Sequence, residues 1–260
     1  MSFLVSVKYI NVFCFLSFMN YDRTHFGRVL QYLTQLRFNK DFDTISVEGG
    51  EYLSEAKSEY KSASILASHT SEHDIFVLDH SLMRQFGKDQ FPVFVMRDTL
   101  RVRLAENIYL PQKLSRWLYT RQAGSSIPID QKNSRALFQA IPAINAVFED
   151  GKFLVIFPGA TRAFGPVNGL TELTASLYSL VLKKARLDEG HCIVPCSISY
   201  DNERRDAKVT YSKPLDVASF DGSRTLGQAV TKQIADLSGT TLENIADEKK
   251  VQEHIRKERY

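Results

Sequence analysis

The order of apolar and polar positions along the chain predicts alternating strands and helices. Five short runs have the length and the continuous apolar character of buried strands. They are SILAS (64–68), VFVM (93–96), SIPI (126–129), FLVIFP (153–158) and CIVPCSISY (192–200). The segments between them carry helical periodicity. The sequence therefore predicts an α/β fold in which helices cover a mostly parallel central sheet.

Three segments show the helical pattern most clearly. In 134–149 the apolar residues share one face, with Pro142 inside and Gly151 just past the end, which predicts a helix kinked at the proline. The apolar residues of 171–187 recur at the same spacing. Residues 23–38 combine an apolar stripe with flanking arginines, a pattern typical both of a helix lying on a membrane and of a surface helix that packs inward.

The first 19 residues, MSFLVSVKYINVFCFLSFM, are apolar but interrupted by Lys8 and Asn11. A transmembrane helix needs about 20 nearly uninterrupted apolar residues, so the pattern does not favour one. The stretch also lacks the basic start and the small-residue cleavage site of a secretory signal. An interfacial anchor, a segment packed on the protein body and an extension upstream of Met19 all stay open.

Composition and charge limit the alternatives. The chain has 260 residues, of which 43% are hydrophobic and 24% charged, enough for one large folded domain. A net charge of +3 is too small to indicate a nucleic-acid partner. Three cysteines form no even set, which favours a reducing, cytoplasmic setting. Cys192 and Cys196 lie in a predicted buried strand, and we expect them to be core thiols with no metal or cofactor bound.

These patterns divide the chain into three predicted regions. Residues 1–40 form an apolar and basic amphipathic helical segment suited to membrane association. Residues 41–218 contain the alternating strands and helices. Residues 219–260 form a helical, charge-rich C-terminal segment.

The stretch SHTSEHDIFVL (68–78) concentrates candidate chemistry after a predicted strand. His69, Glu72 and His73 spell H-x-x-E-H, a signature in which two histidines bind zinc and the glutamate is the base. That interpretation needs the motif on a helix and a third acidic ligand from elsewhere. Because an apolar strand leads directly into His69, the motif starts at a turn, and the zinc interpretation is the weaker one.

His69 and Asp74 support a second interpretation, a histidine–carboxylate base. If His69 lies at the strand-to-helix turn, the Asp74 carboxylate can bind one imidazole nitrogen, fix the tautomer and favour the imidazolium form. The other nitrogen is then left to take a proton from a substrate hydroxyl. The pair has no serine of its own, so the nucleophile would be an alcohol of the substrate.

Five blocks in order resemble the glycerolipid acyltransferase superfamily, of the 1-acylglycerol-3-phosphate O-acyltransferase type with its H-x4-D motif. Residues 45–78 resemble the strand, G-x-E, helix, strand and H-x4-D at the start of that domain. The later blocks are PVFVMRDTL (92–100), AGSSIPIDQKN (123–133), LVIFPGATRAFG (154–165), similar to F-P-E-G-T-R-S, and HCIVPCSISY (191–200). The blocks cover about three-fifths of the chain.

The resemblance implies transfer of a fatty acyl group from a coenzyme A or acyl-carrier-protein thioester to a hydroxyl of a glycerol-phosphate or lysophospholipid. It assigns His69 as general base and Asp74 as its orienting carboxylate. It assigns Gly159, Ala160 and Thr161 to the substrate site, and Arg97, Lys132 and Arg162 to the acceptor phosphate. It implies no cofactor and no metal, and a peripheral position at the cytoplasmic face of a membrane.

The sequence departs from the family pattern at the acceptor site. Gly159 and Ala160 replace the glutamate and glycine of F-P-E-G, Gln131 replaces an arginine, Ala163 a serine and Asn168 a lysine. Two hypotheses follow: a less anionic acceptor than lysophosphatidate, or a phosphate held by Arg97, Lys132 and Arg162 alone. The same losses suggest a further alternative, an impaired member that binds lipid or a partner without turnover.

Overall fold

The structure is a computed structural model that describes residues 42–69, 73–87, 92–97, 126–129, 136–157, 179, 190–201 and 203–239. The predicted helix 23–38, the segments 1–19 and 246–260, and all of 171–187 except residue 179 lie outside these ranges. The N-terminal helical segment therefore stays a prediction.

Strands and helices alternate along the described chain. In order they are β1 (Thr44–Glu48), α1 (Gly50–Glu59), β2 (Ser62–Ala67), α2 (Asp74–Phe86), β3 (Val93–Arg97), β4 (Ser126–Ile129), α3 (Ala136–Glu149), β5 (Phe153–Ile156), β6 (His191–Asp201), β7 (Asp206–Tyr211), β8 (Leu215–Asp216), a 3-10 turn (Val217–Ser219) and α4 (Ser223–Ser238). Each of the five apolar runs overlaps a strand, as predicted. Helix α3 holds Pro142 in its interior, and Gly151 follows its end with a φ of 62°.

The described strands form one mixed, mostly parallel sheet in the order β1-β7-β6-β2-β5-β3-β4, with β8 paired to β6. Strands β6, β2, β5, β3 and β4 run parallel to one another. Strands β7 and β8 run antiparallel to β6, and β1 runs parallel to β7. The predicted fold class is confirmed.

Helices cover both faces of the central strands. Ile65 and Leu66 of β2 are both buried, although successive side chains of a strand point to opposite faces. Helices α3 and α4 pack on the face that carries Leu66, whereas α1 and α2 pack on the other side of the sheet, against β2, β6, β7 and β1. The cluster on the Leu66 face contains Ile144, Val147 and Phe148 of α3, Leu154 of β5, Ile193 of β6, and Leu226, Val230 and Ile234 of α4.

The turn between β1 and α1 requires glycine. Gly49 has a φ of 70°, and a Cβ at this position would collide with the carbonyl oxygen of Tyr211 in β7. A side chain here would meet both the left-handed backbone and the neighbouring strand. The close approach fixes the start of α1 against the sheet.

None of the helices in the described ranges combines the length and apolar character that a bilayer crossing needs.

Candidate active site

The candidate site lies at the edge of the sheet where the parallel strands end. His69 follows β2, Phe157 follows β5, and Tyr200 is near the end of β6. Because β1 is antiparallel to these strands, its beginning reaches the same edge, and the Phe42 ring lies 5.5 Å from the Tyr200 ring. In open α/β sheets the carboxyl ends of the strands are where ligand sites form.

His69 and Asp74 form the contact at the centre of this edge. Asp74 is the first residue of α2, and its Oδ2 lies 2.8 Å from Nδ1 of His69. The Asp74 side chain is completely buried, whereas 12% of the His69 side chain is exposed. A carboxylate can only accept, so Nδ1 carries the proton and the lone pair of the neutral ring lies at Nε2. Part of the His69 ring therefore stays accessible at the surface, whereas its partner carboxylate does not.

Tyr200 supplies a second hydrogen bond to the same carboxylate. Its hydroxyl donates to Oδ1 of Asp74 at 2.5 Å. Both oxygens of the buried carboxylate are therefore hydrogen-bonded, as a buried charge requires. The three side chains come from three elements: the loop after β2, the start of α2 and the end of β6.

Ser68 fixes the backbone next to His69. Its amide donates to the Cys196 carbonyl at 3.0 Å, and its hydroxyl accepts from the Ile198 amide at 2.8 Å. The pairing of β2 with β6 ends at Ala67 and Cys196, so the serine side chain continues the ladder beyond the last strand residue. Ser68 is buried. These two bonds tie the histidine loop to the strand that carries Tyr200.

Aromatic packing holds one face of the imidazole. The Phe157 ring stacks on His69 with centroids 4.6 Å apart, and Phe94 of β3 lies parallel to Phe157 at 6.4 Å. Phe94 is buried, whereas Phe157 is half-buried. The stack restricts rotation of the ring and places an apolar surface against one face of the imidazole.

Arg97 ends β3 at the same edge. Continuing the register of β5 with its two neighbours places the Arg97 backbone level with Ser68, two strands away. Two strand spacings correspond to about 10 Å. The structure therefore brings Arg97 to the site edge at the level of the backbone. Lys132, Gly159, Ala160, Thr161 and Arg162 lie outside the described residues, and their roles stay predictions.

The geometry does not match the zinc interpretation of H-x-x-E-H. Helix α2 begins at Asp74, so His69 and His73 both precede it and do not lie on successive helical turns. The His73 ring packs edge-on against Phe42 at 5.4 Å, and Nδ1 of His69 is bound to Asp74. Glu72 lies outside the described residues. Across the described part of the chain, no three histidine, cysteine or acidic side chains converge as a metal site would require.

The two cysteines of β6 are buried, as predicted for core thiols. Burial, and to a lesser extent the charge of Asp216, raises the pKa of Cys192 to about 12. Burial, together with the nearby Asp74 charge, raises the pKa of Cys196 well above its ordinary value. Both groups are therefore neutral thiols at physiological pH, which suits core packing rather than nucleophilic chemistry.

Comparison with known proteins identifies the class. The Acyltransferase family profile matches residues 44–199, more than half of the chain. The chain therefore belongs to the Acyltransferase family, and its resemblance to the glycerolipid acyltransferases is confirmed.

One solved structure illustrates the shared fold. The crystal structure of the 1-acyl-sn-glycerophosphate (LPA) acyltransferase PlsC from Thermotoga maritima is similar to this chain with a TM-score of 0.55 and 18% sequence identity. The match covers 94% of this chain and 88% of that one. At this identity the similarity establishes the fold alone. A search of curated protein sequences gives no match.

Three contributors to the site were missed from the sequence: Tyr200, Ser68 and Phe157. Tyr200 lies near the end of β6, whereas Ser68 and Phe157 directly follow β2 and β5. The rule that directs attention to His69, polar or aromatic residues at the carboxyl ends of parallel strands, applies equally to Tyr200 and Phe157. That rule was a usable signal for both residues, whereas the role of Ser68 depends on its backbone contacts.

Proposed function

We propose that the protein transfers a fatty acyl group from a coenzyme A or acyl-carrier-protein thioester to a hydroxyl of a glycerol-phosphate or lysophospholipid acceptor. Membership of the Acyltransferase family supports acyl transfer. The observation that carries the mechanism is the 2.8 Å contact between Nδ1 of His69 and Oδ2 of Asp74. Because this contact occupies Nδ1, Nε2 of the half-buried His69 ring is left to accept a proton.

The reaction proceeds by general base catalysis. Nε2 of His69 removes the proton of the acceptor hydroxyl as the oxygen attacks the thioester carbonyl carbon, forming a new C–O bond. The buried Asp74 charge stabilises the imidazolium that forms. The tetrahedral intermediate then collapses, the C–S bond breaks, and the departing thiolate takes the proton from the imidazolium. The ring returns to its starting state, and no cofactor is consumed.

The acceptor phosphate needs fixed cations. We assign this role to Arg97, Arg162 and Lys132, with Gly159, Ala160 and Thr161 completing the substrate site. A phosphate that leaves bulk water for a groove requires charge-assisted hydrogen bonds, which the arginine fork supplies in pairs. The position of Arg97 at the end of β3 supports this assignment because that strand end faces the same edge as His69. Backbone N–H groups near the start of α2 are candidate donors to the oxyanion.

A donor-by-acceptor activity panel tests the proposal. The donors are acyl-coenzyme A and acyl-carrier protein, and the acceptors are glycerol 3-phosphate, lysophosphatidate and an uncharged lysolipid. We expect His69→Ala to lower the transfer rate by roughly 10²- to 10⁴-fold, the range typical of a positioned proton acceptor.

His73→Ala is the matched control, since His73 lies four residues away and belongs to the zinc motif but not to the proposed base. We expect His73→Ala to retain transfer within about fivefold, because its ring packs on Phe42 and is not the proposed base. Equal loss of activity in both variants would favour a metal site. Substrate binding without turnover in the wild-type protein, unchanged by His69→Ala, would instead indicate an impaired, ligand-binding member.

The acceptor panel also separates the two hypotheses that Gly159, Ala160 and Gln131 raise: a less anionic acceptor, or a phosphate held by the remaining cations. Faster transfer to lysophosphatidate than to the uncharged lysolipid would show that the remaining cations hold a phosphate. The reverse preference would indicate a less anionic acceptor.

We further propose that the protein acts at the cytoplasmic face of a membrane, where such lipid acceptors reside. The apolar and basic composition of residues 1–40 supports this placement. Co-sedimentation with anionic vesicles, compared between the full chain and a chain lacking residues 1–40, tests it. Equal sedimentation of both would contradict the role of that segment.

A further inference from the structure

We propose that Tyr200 is a positioning residue of this site: its hydroxyl holds the Asp74 carboxylate in the orientation that presents Oδ2 to His69. The inference rests on the proposed role of His69 as general base. It assigns a function to a side chain at the end of β6 that neither the spacing of His69 and Asp74 nor the H-x4-D motif identifies.

The hydrogen bonds of Asp74 carry the argument. Oδ1 accepts from the Tyr200 hydroxyl at 2.5 Å and Oδ2 faces Nδ1 of His69 at 2.8 Å. The carboxylate is completely buried. Rotation about its Cβ–Cγ bond would break both hydrogen bonds in a place that water does not reach, at the full cost of two unsatisfied buried groups. The pair of bonds therefore fixes the plane of the carboxylate.

Tyr200 is itself held by elements other than α2. It pairs with Ala207 in the antiparallel ladder of β6 and β7, and its ring packs against Phe42 at 5.5 Å. Strand β6 is in turn joined to the histidine loop through Ser68. The tyrosine therefore supports Asp74 from the sheet. The hydrogen bonds of Asp74 with Tyr200 and His69 would both resist a shift of helix α2.

The chemistry of a phenol suits this role better than that of a cation. A lysine or arginine at this position would neutralise the carboxylate and weaken its stabilisation of the imidazolium. A neutral hydroxyl orients the carboxylate through a charge-assisted hydrogen bond and leaves its net charge in place. The site thus keeps the negative charge that the base needs.

Tyr200→Phe removes the hydroxyl and keeps the ring. Tyr211→Phe is the matched control, because the Tyr211 hydroxyl is also buried but contacts Ser81 at 2.5 Å instead of Asp74. The full chain of each variant is measured in three ways: steady-state transfer, the same transfer in an Asp74→Asn background, and imidazole ¹⁵N shifts of histidine-labelled protein. The His69 signal among the six histidines is assigned by its loss in His69→Ala.

We expect Tyr200→Phe to lower kcat by roughly tenfold, the rate equivalent of one hydrogen bond to a charged group, with KM changed by less than about twofold. In the Asp74→Asn background the same substitution should change kcat by less than about twofold, because the residue acts through Asp74. The ¹⁵N shifts should show a smaller fraction of neutral His69 carrying its proton at Nδ1. Tyr211→Phe should change neither kcat nor the tautomer fraction.

Two results would overturn the inference: a tautomer fraction and kcat unchanged by Tyr200→Phe, or an undiminished effect of Tyr200→Phe in the Asp74→Asn background. The proposed function fails separately, if the wild-type protein transfers no acyl group or if His69→Ala is fully active. In that case a tautomer change specific to Tyr200→Phe would still establish the positioning contact.

Discussion

Two histidines at opposite edges of the same sheet show how position in the fold decides the surroundings of a side chain. His69 follows β2 at the carboxyl edge, is 12% exposed and has one ring nitrogen on a buried carboxylate. His191 starts β6 at the amino edge and is 1% exposed. Its Nδ1 lies 2.7 Å from the Ser62 hydroxyl and its Nε2 3.0 Å from the Ser64 hydroxyl.

The partners of the two rings account for the difference. Hydroxyl groups both donate and accept, so Ser62 and Ser64 satisfy both ring nitrogens of His191 without supplying a charge. Phe148 packs against this ring at 4.7 Å. The ring joins β2 to β6 as a structural link. In the proposed mechanism, the Asp74 carboxylate both selects the tautomer of His69 and stabilises the positive charge that would appear during proton transfer.

Removing the charge of the Asp74 carboxylate is the strongest test of the contrast between His69 and His191. Asp74→Asn keeps the size of the side chain but replaces one acceptor oxygen by a donor group, which disturbs the tautomer that leaves Nε2 basic. We expect the single-turnover rate of acyl transfer to fall by roughly 10²- to 10³-fold, as expected for an imidazole base that has lost its orienting carboxylate. A rate within about fivefold of wild type would show that His69 works without its partner.

His191→Ala tests the structural role of the histidine at the amino edge of the sheet. The substitution leaves two buried serine hydroxyls without the ring and opens a cavity beside Phe148. We expect the free energy of unfolding to fall by about 2–4 kcal/mol in denaturant titrations, from the lost hydrogen bonds and the cavity together. kcat per folded molecule should stay within about twofold, since the ring is at the far edge of the sheet. A loss of kcat as large as that of His69→Ala would contradict the structural role.

A second aspartate of α2, Asp79, shows how burial changes the pKa of a carboxyl group. Asp79 is half-buried, and burial raises its pKa from 3.8 to about 7. The folded protein then holds this proton more tightly than the unfolded chain, so its contribution to stability is present below pH 3.8 and is lost as the pH rises towards 7.

We expect the melting temperature of the wild-type protein to fall by a few degrees more between pH 5 and pH 8 than that of Asp79→Asn, whose side chain does not ionise. Melting curves of both proteins across this range make the measurement. Parallel pH dependences would show that Asp79 ionises normally in the folded state.

Much of the fold was predictable because parallel strands buried on both faces form continuous apolar runs. Strand β5 is buried along its whole length, and so are the first eight residues of β6. Strand β7 was missed because it lies towards the side of the sheet and alternates, with the exposed Lys208 between buried Ala207 and Val209. A six-residue alternating strand with two charged residues carries a weak signal in a single sequence.

The two contacts of Asp74 also differ in how far the sequence predicts them. The contact of His69 with Asp74 is local, five residues apart, so spacing alone suggests it. The contact of Asp74 with Tyr200 spans 126 residues and depends on the register of β6 against β2, which no local pattern encodes.

The Ser68 hydroxyl has a mechanical consequence for the reaction cycle. Because this hydroxyl accepts a hydrogen bond from the Ile198 amide, two positions from Tyr200, the loop that carries the proposed base is joined to the strand that carries the tyrosine. In the proposed mechanism, this link would keep the atoms that handle the proton at constant mutual distances from one turnover to the next.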